Sequence, residues 1–323
     1  LIVLITAFKG EAKSDHSKEL HSCFVKQLPF FLALAMTMGV APLLFVQVLY
    51  GNLFYTANIL QAFWWLGLIP LVIAIFYLLY FAWYRLKEGE ALNWKVPLLV
   101  CALFFVGLTI LSANATLLET PSAWQAMRTP FQGVRLYHGD KTLLPRVVLA
   151  LTGLLALGGM FYALVPRLKK GMSDAALNHG FTYGLTATVV ALVGYAGAAL
   201  ALLFTLPAEI RTALTSGSGE SLIFYASAVV FLLALVAAVL ARKGKNTKVA
   251  IGTLLLFFVH LFALAGVRDF VRRMKIASFH KLSDMPINPQ WDSFLLWAVI
   301  FVIGLAVVGY IVKLTQKPKE TLA

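Results

Sequence analysis

The chain has 323 residues, of which 60% are hydrophobic and only 13% are charged. Long, repeated apolar runs of this kind exclude a soluble domain and predict a polytopic membrane protein. The net charge of +13 is dispersed among the connections between these runs. It therefore indicates membrane topology and contact with the lipid bilayer, and no nucleic-acid partner is expected. Two cysteines, Cys23 in a polar segment and Cys101 in an apolar one, cannot form a disulfide framework and are interpreted as packing residues.

The apolar runs predict an all-α fold, a transmembrane helix bundle of about eight full spans plus an N-terminal partial helix. Residues 1–8 are too few to cross a membrane and are interpreted as that partial helix, followed by a polar segment, residues 9–26. The whole of residues 1–323 is expected to form a single integral membrane domain. The predicted spans cover residues 28–50, 61–84, 95–118, 143–165, 180–206, 221–241, 248–267 and 292–314.

Three local patterns refine this picture. Pro42, within Gly39–Pro42, is expected to kink or break the first span, either as a simple packing kink or as the wall of a site. The uncharged stretch Gly51–Ile59 is interpreted as a connection between spans. Small residues crowd Gly184–Ala201, which predicts close packing of that helix against a neighbour.

The distribution of basic residues predicts the orientation. Most of the 27 Lys and Arg residues lie in one set of connections, which includes the polar N-terminal segment and the C-terminal tail. The positive-inside rule makes that side cytoplasmic, so the C-terminus is expected in the cytoplasm. The longer connections, residues 119–141, 208–219 and 268–291, then lie on the outer side.

His260 is the histidine that lies well inside an apolar run. Ionisable residues at membrane depth are functional candidates. Steps of four residues lead from His260 to Leu264, Arg268 and Arg272, so one helical face is expected to carry a histidine, a leucine and two guanidiniums. Three uses of this face are open: a haem, a quinone headgroup, or a hydrogen bond to a neighbouring helix.

Each use makes different demands on the chain. A transmembrane b-type haem needs histidine ligands near one depth, and His260 is the histidine placed for that; no other metal site is expected. A quinone needs an apolar cleft with one or two hydrogen-bond donors. The residues that can supply such a cleft are His260, Arg268 and Arg272, together with Asn114, Gln47 or Tyr50 from other helices. Alternatively, residues 268–273 form an interfacial cluster with internal i, i+3 and i, i+4 ion pairs.

All fourteen acidic residues lie in connections or at helix ends, and none is expected in mid-membrane. Proton pumps and cation-coupled transporters usually need an intramembrane carboxylate. The pattern therefore disfavours those two classes, whereas a channel or a neutral-solute transporter remains compatible with it.

The stretch Thr109–Leu164 resembles the central part of subunit I of cytochrome bd-type quinol oxidases. The similar features are Ser112–Asn114 at the end of a helix, Pro121 in the following loop, and Pro145–Val148 at the start of the next helix. Where that family has a haem-ligating histidine, this chain has Val147 to Leu149, so the ligand is missing. The resemblance implies a bd-like membrane subunit of an electron-transfer assembly that does not reduce oxygen.

The sequence thus predicts an integral membrane subunit of a bacterial respiratory electron-transfer complex. If that complex oxidises quinol, this subunit is expected to have no independent activity. It is expected to anchor other membrane subunits and a periplasmic electron-transfer protein. The outer-loop residues expected to dock that protein are Trp124, Arg128, Arg135 and His138. Two alternatives from other classes are a cofactor-free membrane scaffold and a neutral-solute transporter or channel.

Overall fold

The computed structural model describes residues 15–88, 93–128, 133–169, 171–217, 219–281 and 290–316. These residues form helices joined by turns and short 3-10 segments, with no strand among them. The helices are α1 (Asp15–Val25), α2 (Leu28–Leu49), α3 (Gly51–Leu60), α4 (Ala62–Lys87), α5 (Lys95–Leu118), α6 (Trp124–Arg128), α7 (Leu143–Leu164), α8 (Asp174–Thr205), α9 (Ala208–Leu214), α10 (Leu222–Gly244), α11 (Thr247–Ile276) and α12 (Trp291–Gln316).

Within the described residues, eight helical segments are long and apolar enough to cross a membrane, which confirms the predicted all-α bundle of eight spans. An N-terminal helix is also present, but it is α1, formed within the segment predicted to be a polar connection. Residues 1–8, the expected partial helix, lie outside the described residues. The chain divides into two compact units, the first ending at His280 and the second beginning at Lys281. The single domain expected from the sequence stays a prediction.

The main differences from the predicted elements concern α3, α11 and α2. Gly51–Leu60, expected to be a connection, is the helix α3, which turns its apolar residues Leu53, Phe54 and Ala57 into the protein. The helix α11 continues for more than two turns beyond residue 267, to Ile276, because its charged end is held by contacts with other segments. The helix α2 is continuous through Pro42, so it is not broken there, and the alternative expectation of a packing kink stays a prediction.

The first unit is built around two helix pairs, α7 with α8 and α10 with α11. Glycines let the backbones of α7 and α8 meet: a Cβ on Gly159 would lie 2.6 Å from the carbonyl oxygen of Gly184, and the Thr188 hydroxyl donates to the carbonyl of Ala156 across the same seam at 3.2 Å. The close packing predicted for Gly184–Ala201 is therefore present at Gly184, whereas nothing lies near the Cβ position of Gly197.

A tight turn joins α10 to α11. Lys245 adopts the left-handed conformation at the end of α10, with φ 49°. The side chain of Asn246 then caps α11 by accepting from the backbone amides of Lys248 and Val249. A left-handed residue after one helix and an Asn cap before the next are common helix stop and start signals. Because of this turn, α10 and α11 pack against each other as antiparallel neighbours, and Ser227 lies within hydrogen-bond distance of His260.

Besides the contacts inside the bundle, two groups of polar contacts lie at its opposite ends. At one end, the Ser173 amide and hydroxyl donate to Glu19 at 2.9 and 2.6 Å, and Arg167 donates to Thr247 at 3.0 Å. At the other end lie Glu119 and its partners, described below. We call these the Glu19 end and the Glu119 end. The contacts join only segments that the sequence assigns to one side of the membrane, which agrees with the predicted alternation of helix ends.

The second unit contains α12, whose residues from Trp291 to Lys313 are all exposed except Ala298, which is half-buried. Its sequence is apolar around the whole helix, with Asp292 in the first turn and Lys313 in the last. A helix that is apolar on every face suits a lipid environment.

Candidate functional site

His260 lies in α11, where it contacts residues of α8 and α10, and it is 5% exposed. Its Nε2 is 3.0 Å from the hydroxyl of Tyr195 in α8. Its Nδ1 is 3.0 Å from the carbonyl oxygen of Ser227 in α10 and 3.1 Å from the hydroxyl of that residue. Because a carbonyl can only accept, we assign the proton to Nδ1, and Nε2 then accepts from Tyr195. His260 is therefore a neutral hydrogen-bonding link between α8, α10 and α11.

Aromatic rings enclose this link. The ring centroids of Tyr195, Phe231 and Phe257 lie 5.5, 5.2 and 5.7 Å from that of His260. A haem iron would need a ring nitrogen of His260, and both nitrogens already have partners within this packed cluster. The residues around His260 consequently do not fit a haem, and they match the third of the uses expected for this face.

Within the described residues, no hydrogen bond or ion pair joins the four residues of the predicted quinone or haem site. Each step of four residues along a helix rotates the side chain by about 40°, so Arg268 lies about 80° around α11 from His260. His260 faces the bundle, whereas Arg268 is exposed. Asn114 is buried at the end of α5, where its amide donates to Asn58 of α3 at 2.8 Å. The predicted quinone or haem site therefore stays a prediction.

Part of the predicted face does assemble around Arg272. Tyr50, one of the alternative donors, lies under the Arg272 guanidinium, with 5.1 Å between the guanidinium carbon and the ring centroid. Gln47, the other alternative, hydrogen-bonds instead to Tyr55. The Tyr50 hydroxyl donates to Asp269 at 3.4 Å, and its ring lies 5.7 Å from that of His280. Tyr50 thus ties the junction of α2 and α3 to the end of α11.

Glu119, immediately after α5, is the centre of the polar contacts at the Glu119 end. Its side chain is 1% exposed and faces three cations from two other helices. Arg146 of α7 lies 2.5 Å away, Arg272 of α11 3.5 Å away and Lys275 of α11 4.0 Å away, measured between nitrogen and carboxylate oxygen. This arrangement joins the ends of α5, α7 and α11 through one carboxylate.

Asp140 extends the same cluster from the loop before α7. Lys275 lies 3.1 Å from its carboxylate, and the backbone amide of Thr142 donates to the other oxygen at 2.7 Å. Thr120, next to Glu119, lies within 3.4 Å of Asp140. We call Glu119, Asp140, Arg146, Arg272 and Lys275 the Glu119 cluster.

The electrostatics of the Glu119 cluster keep both carboxylates ionised. Burial alone would raise the pKa of Glu119, but the charges of Arg146, Lys275 and Arg268 and the hydrogen bond from Arg146 outweigh it and lower the pKa. Burial also opposes ionisation of Asp140, and there the hydrogen bonds from Thr142 and the charge of Lys275 lower the pKa. The cluster is a set of fixed charges and not a proton donor at neutral pH.

A second, exposed network continues along α11. Arg273 lies 2.9 Å from Asp269 and 2.6 Å from Glu220. The i, i+4 pair between Asp269 and Arg273 confirms the expectation of internal ion pairs in residues 268–273. Arg272, by contrast, pairs with another helix.

The loop that holds the predicted docking residues is pinned to the end of α4. The Tyr137 amide donates to Gln61 at 2.8 Å, the Trp64 indole donates to the carbonyl of Val134 at 2.7 Å, and the Phe63 amide donates to Gly133 at 2.9 Å. These bonds fix residues 133–137 although the loop has no regular secondary structure.

The four predicted docking residues occupy two kinds of position. Trp124 is half-buried, and its indole donates to the carbonyl of Leu117 at 3.1 Å, so it anchors α6 to α5. Arg128, Arg135 and His138 are exposed at the Glu119 end. The structure therefore makes three of the four available to a partner, and their docking role stays a prediction.

The Glu119 cluster is the feature that the sequence interpretation missed. Glu119 was placed among acids at helix ends, which is correct, but its burial was not foreseen. The available signal was an acid directly after one apolar span and Arg146 near the start of the next, on the same side of the membrane.

Within the described ranges, no group of three or more His, Cys, Asp or Glu side chains is arranged to hold a metal ion. Comparisons of the chain with protein-family models, with curated proteins and with solved structures find no match. In the part of the chain that the structure describes, the findings support an all-helical, multi-pass membrane protein whose spans contact a lipid bilayer.

Proposed function

We propose that this protein is a membrane subunit of a bacterial respiratory electron-transfer complex that anchors partner proteins and holds no redox group of its own. The observation that carries the anchoring role is the construction of the Glu119 end. There a buried carboxylate fixes three helices, and a loop pinned to α4 presents Arg135 and His138 to the aqueous phase. A rigid, exposed, basic surface favours binding of an acidic protein partner.

The respiratory part of the proposal is supported by the resemblance of residues 109–164 to subunit I of cytochrome bd-type quinol oxidases. The absence of a redox group is supported by His260, whose two ring nitrogens are both engaged. A quinone site is not part of the proposal, because the side chains of His260 and Asn114 are each hydrogen-bonded to residues outside the predicted site.

The orientation within the proposal follows from charge. The connections at the Glu19 end carry most of the Lys and Arg residues, which supports a cytoplasmic location for that end in the bacterial inner membrane. The C-terminus is then cytoplasmic, and Arg128, Arg135 and His138 face the periplasm, where a soluble electron-transfer protein would dock.

The test is co-purification after extraction in a mild detergent. The protein is expected to retain partner subunits, and the double variant Arg128→Glu/Arg135→Glu should lose the periplasmic partner. A matched control is Lys243→Glu/Lys245→Glu, which reverses two exposed charges at the Glu19 end and should retain it. A protein that emerges alone from membranes and moves solute into proteoliposomes would overturn the proposal in favour of a carrier.

A visible spectrum provides the second arm. The isolated chain, freed of partners, is expected to give no haem signal in a reduced-minus-oxidised spectrum. A b-type signal that disappears in His260→Ala would contradict the assignment of His260 as a helix link and would restore the redox interpretation.

A further inference from the structure

Arg268 stands apart from the other cations at the Glu119 end. Arg146, Arg272, Lys275 and Arg273 each lie within 4.0 Å of a carboxylate. For Arg268 no hydrogen bond or ion pair occurs within the described part of the chain, and its side chain is exposed. Its charge is held near Arg272 and Arg146, with Glu119 as the neighbouring anion. An added anion at Arg268 would therefore relieve repulsion among like charges.

The position of Arg268 along α11 matches the level of lipid headgroups. From Lys248 to Arg268 the helix rises about 30 Å at 1.5 Å per residue, which is the thickness of the hydrocarbon core of a bilayer. The residues between them carry no other charge. With Lys248 at one polar boundary, Arg268 lies at the other.

The exposed surface of α11 runs toward the level of this residue. Four large apolar side chains are exposed at helical spacing along it: Ile251, Leu255, Phe258 and Phe262, the last of them 78% exposed. Ala265 continues this exposed stripe, and Arg268 lies about one turn further along and about 60° around the helix from Ala265, at the flank of the stripe. An acyl chain lying along the stripe would bring its headgroup beside the Arg268 guanidinium.

We propose that Arg268 binds a phosphate group at the membrane boundary, with the apolar stripe of α11 beneath it receiving the attached acyl chain. Guanidinium groups bind phosphate oxygens through paired N–H donors, which gives such a contact both charge and geometry. The stripe favours the phosphodiester of an anionic lipid as the source. A free phosphate ion has the same headgroup chemistry and is distinguished by experiment. This proposal is independent of the proposed function.

The test measures thermal unfolding of delipidated protein in detergent during titration with phosphatidylglycerol, with diacylglycerol, which lacks the phosphate, and with inorganic phosphate. Phosphatidylglycerol is expected to raise the unfolding temperature, and Arg268→Gln should raise the half-saturating concentration about tenfold, as expected for loss of one charge-assisted pair. Arg135→Gln, which removes an exposed arginine at the same end, should respond like the wild type. Arg268→Lys, which retains charge but lacks the planar fork, should lie between them.

The arms separate the possible outcomes. An effect of inorganic phosphate equal to that of the lipid, and lost in Arg268→Gln, supports a phosphate site with a soluble ligand. A response to phosphatidylglycerol that is unchanged in Arg268→Gln, or matched by diacylglycerol, would overturn the proposal. Arg268→Lys provides the same comparison if the glutamine variant does not fold.

Discussion

The Arg146 guanidinium and the Glu119 carboxylate lie 2.5 Å apart, with side chains 15% and 1% exposed. Glu119 directly follows α5, and Arg146 lies in the first turn of α7. Their contact therefore holds together the ends of two spans that a loop separates in the sequence. A buried ion pair is weak evidence of net stabilisation, because both groups lose hydration. Removing one partner is nevertheless expensive, since the other charge is left buried.

Glu119→Gln should destabilise the protein by about 3–5 kcal/mol, because Arg146, Arg272 and Lys275 would lose their shared counter-charge. The measurement is the free energy of unfolding in detergent. The control is Glu220→Gln, which removes an exposed partner of Arg273 and should have a much smaller effect. Equal effects of the two substitutions would contradict a central role for Glu119.

The Glu119 cluster also predicts a pH dependence of stability. The pKa values of Glu119 and Asp140 are lowered in the folded protein, whereas in the unfolded chain they should lie near about 4.3 and 3.9. The unfolded state therefore binds more protons over this interval, so the stabilisation is fully present above these unfolded values and is lost as pH falls through the folded ones. The unfolding temperature should change little between pH 7 and about pH 5 and fall below about pH 4.

The double variant Glu119→Gln/Asp140→Asn tests the assignment of this acid-sensitive stability. Its unfolding temperature should be lower at pH 7, and the fall on acidification should be shallower than in the wild type. An unchanged slope would assign the acid sensitivity to other carboxylates.

The spans could be predicted from sequence because membrane length and apolar composition are local properties. The direction of each helical face was only partly predictable. Grouping His260 with Arg268 at steps of four neglected the rotation of about 80° that accumulates over two such steps. The partners Tyr195 and Ser227 could not be found from sequence, because their identity depends on how α8 and α10 pack against α11.

The helix α3 illustrates a different limit. Gly51–Leu60 begins with Gly and Asn and is shorter than a span, so its composition favours a connection. Burial of Leu53, Phe54 and Ala57 against the rest of the protein compensates for its weak local signals. Tertiary packing determined this element, as is common for short helices.

The hydrogen bond between Tyr195 and His260 should contribute measurably to bundle stability. Tyr195→Phe removes the hydroxyl that donates to Nε2 and leaves that nitrogen without its partner. The expected cost is about 0.6–1.7 kcal/mol, from the average to the largest value typical of hydrogen bonds between transmembrane helices. The free energy of unfolding, measured by denaturant titration in detergent, reports it.

Tyr77→Phe is the control for this prediction, because Tyr77 is 73% exposed on α4. It loses the same hydroxyl without breaking the link between α8 and α11. Equal unfolding free energies for the two variants would show that the Tyr195 contact contributes nothing to stability.

The close approach of α7 and α8 depends on Gly159 and Gly184. A Cβ on Gly159 would lie 2.5 Å from the Thr188 hydroxyl oxygen, and a Cβ on Gly184 would lie 2.5 Å from the carbonyl oxygen of Gly159. Such atoms cannot approach so closely, so the helices must separate. Gly159→Ala should destabilise the protein by about 1–3 kcal/mol, the usual cost of overpacking.

The neighbouring glycine on α7 provides a matched control. Nothing lies within 4 Å of the Cβ position of Gly158, so Gly158→Ala adds the same methyl group without a clash. Because alanine is favoured over glycine inside a helix by about 1 kcal/mol, this variant should be neutral or more stable. Unfolding temperatures that fall for Gly159→Ala and not for Gly158→Ala would establish the seam. Equal changes in both variants would show that helix propensity, and not the contact between α7 and α8, determines the effect.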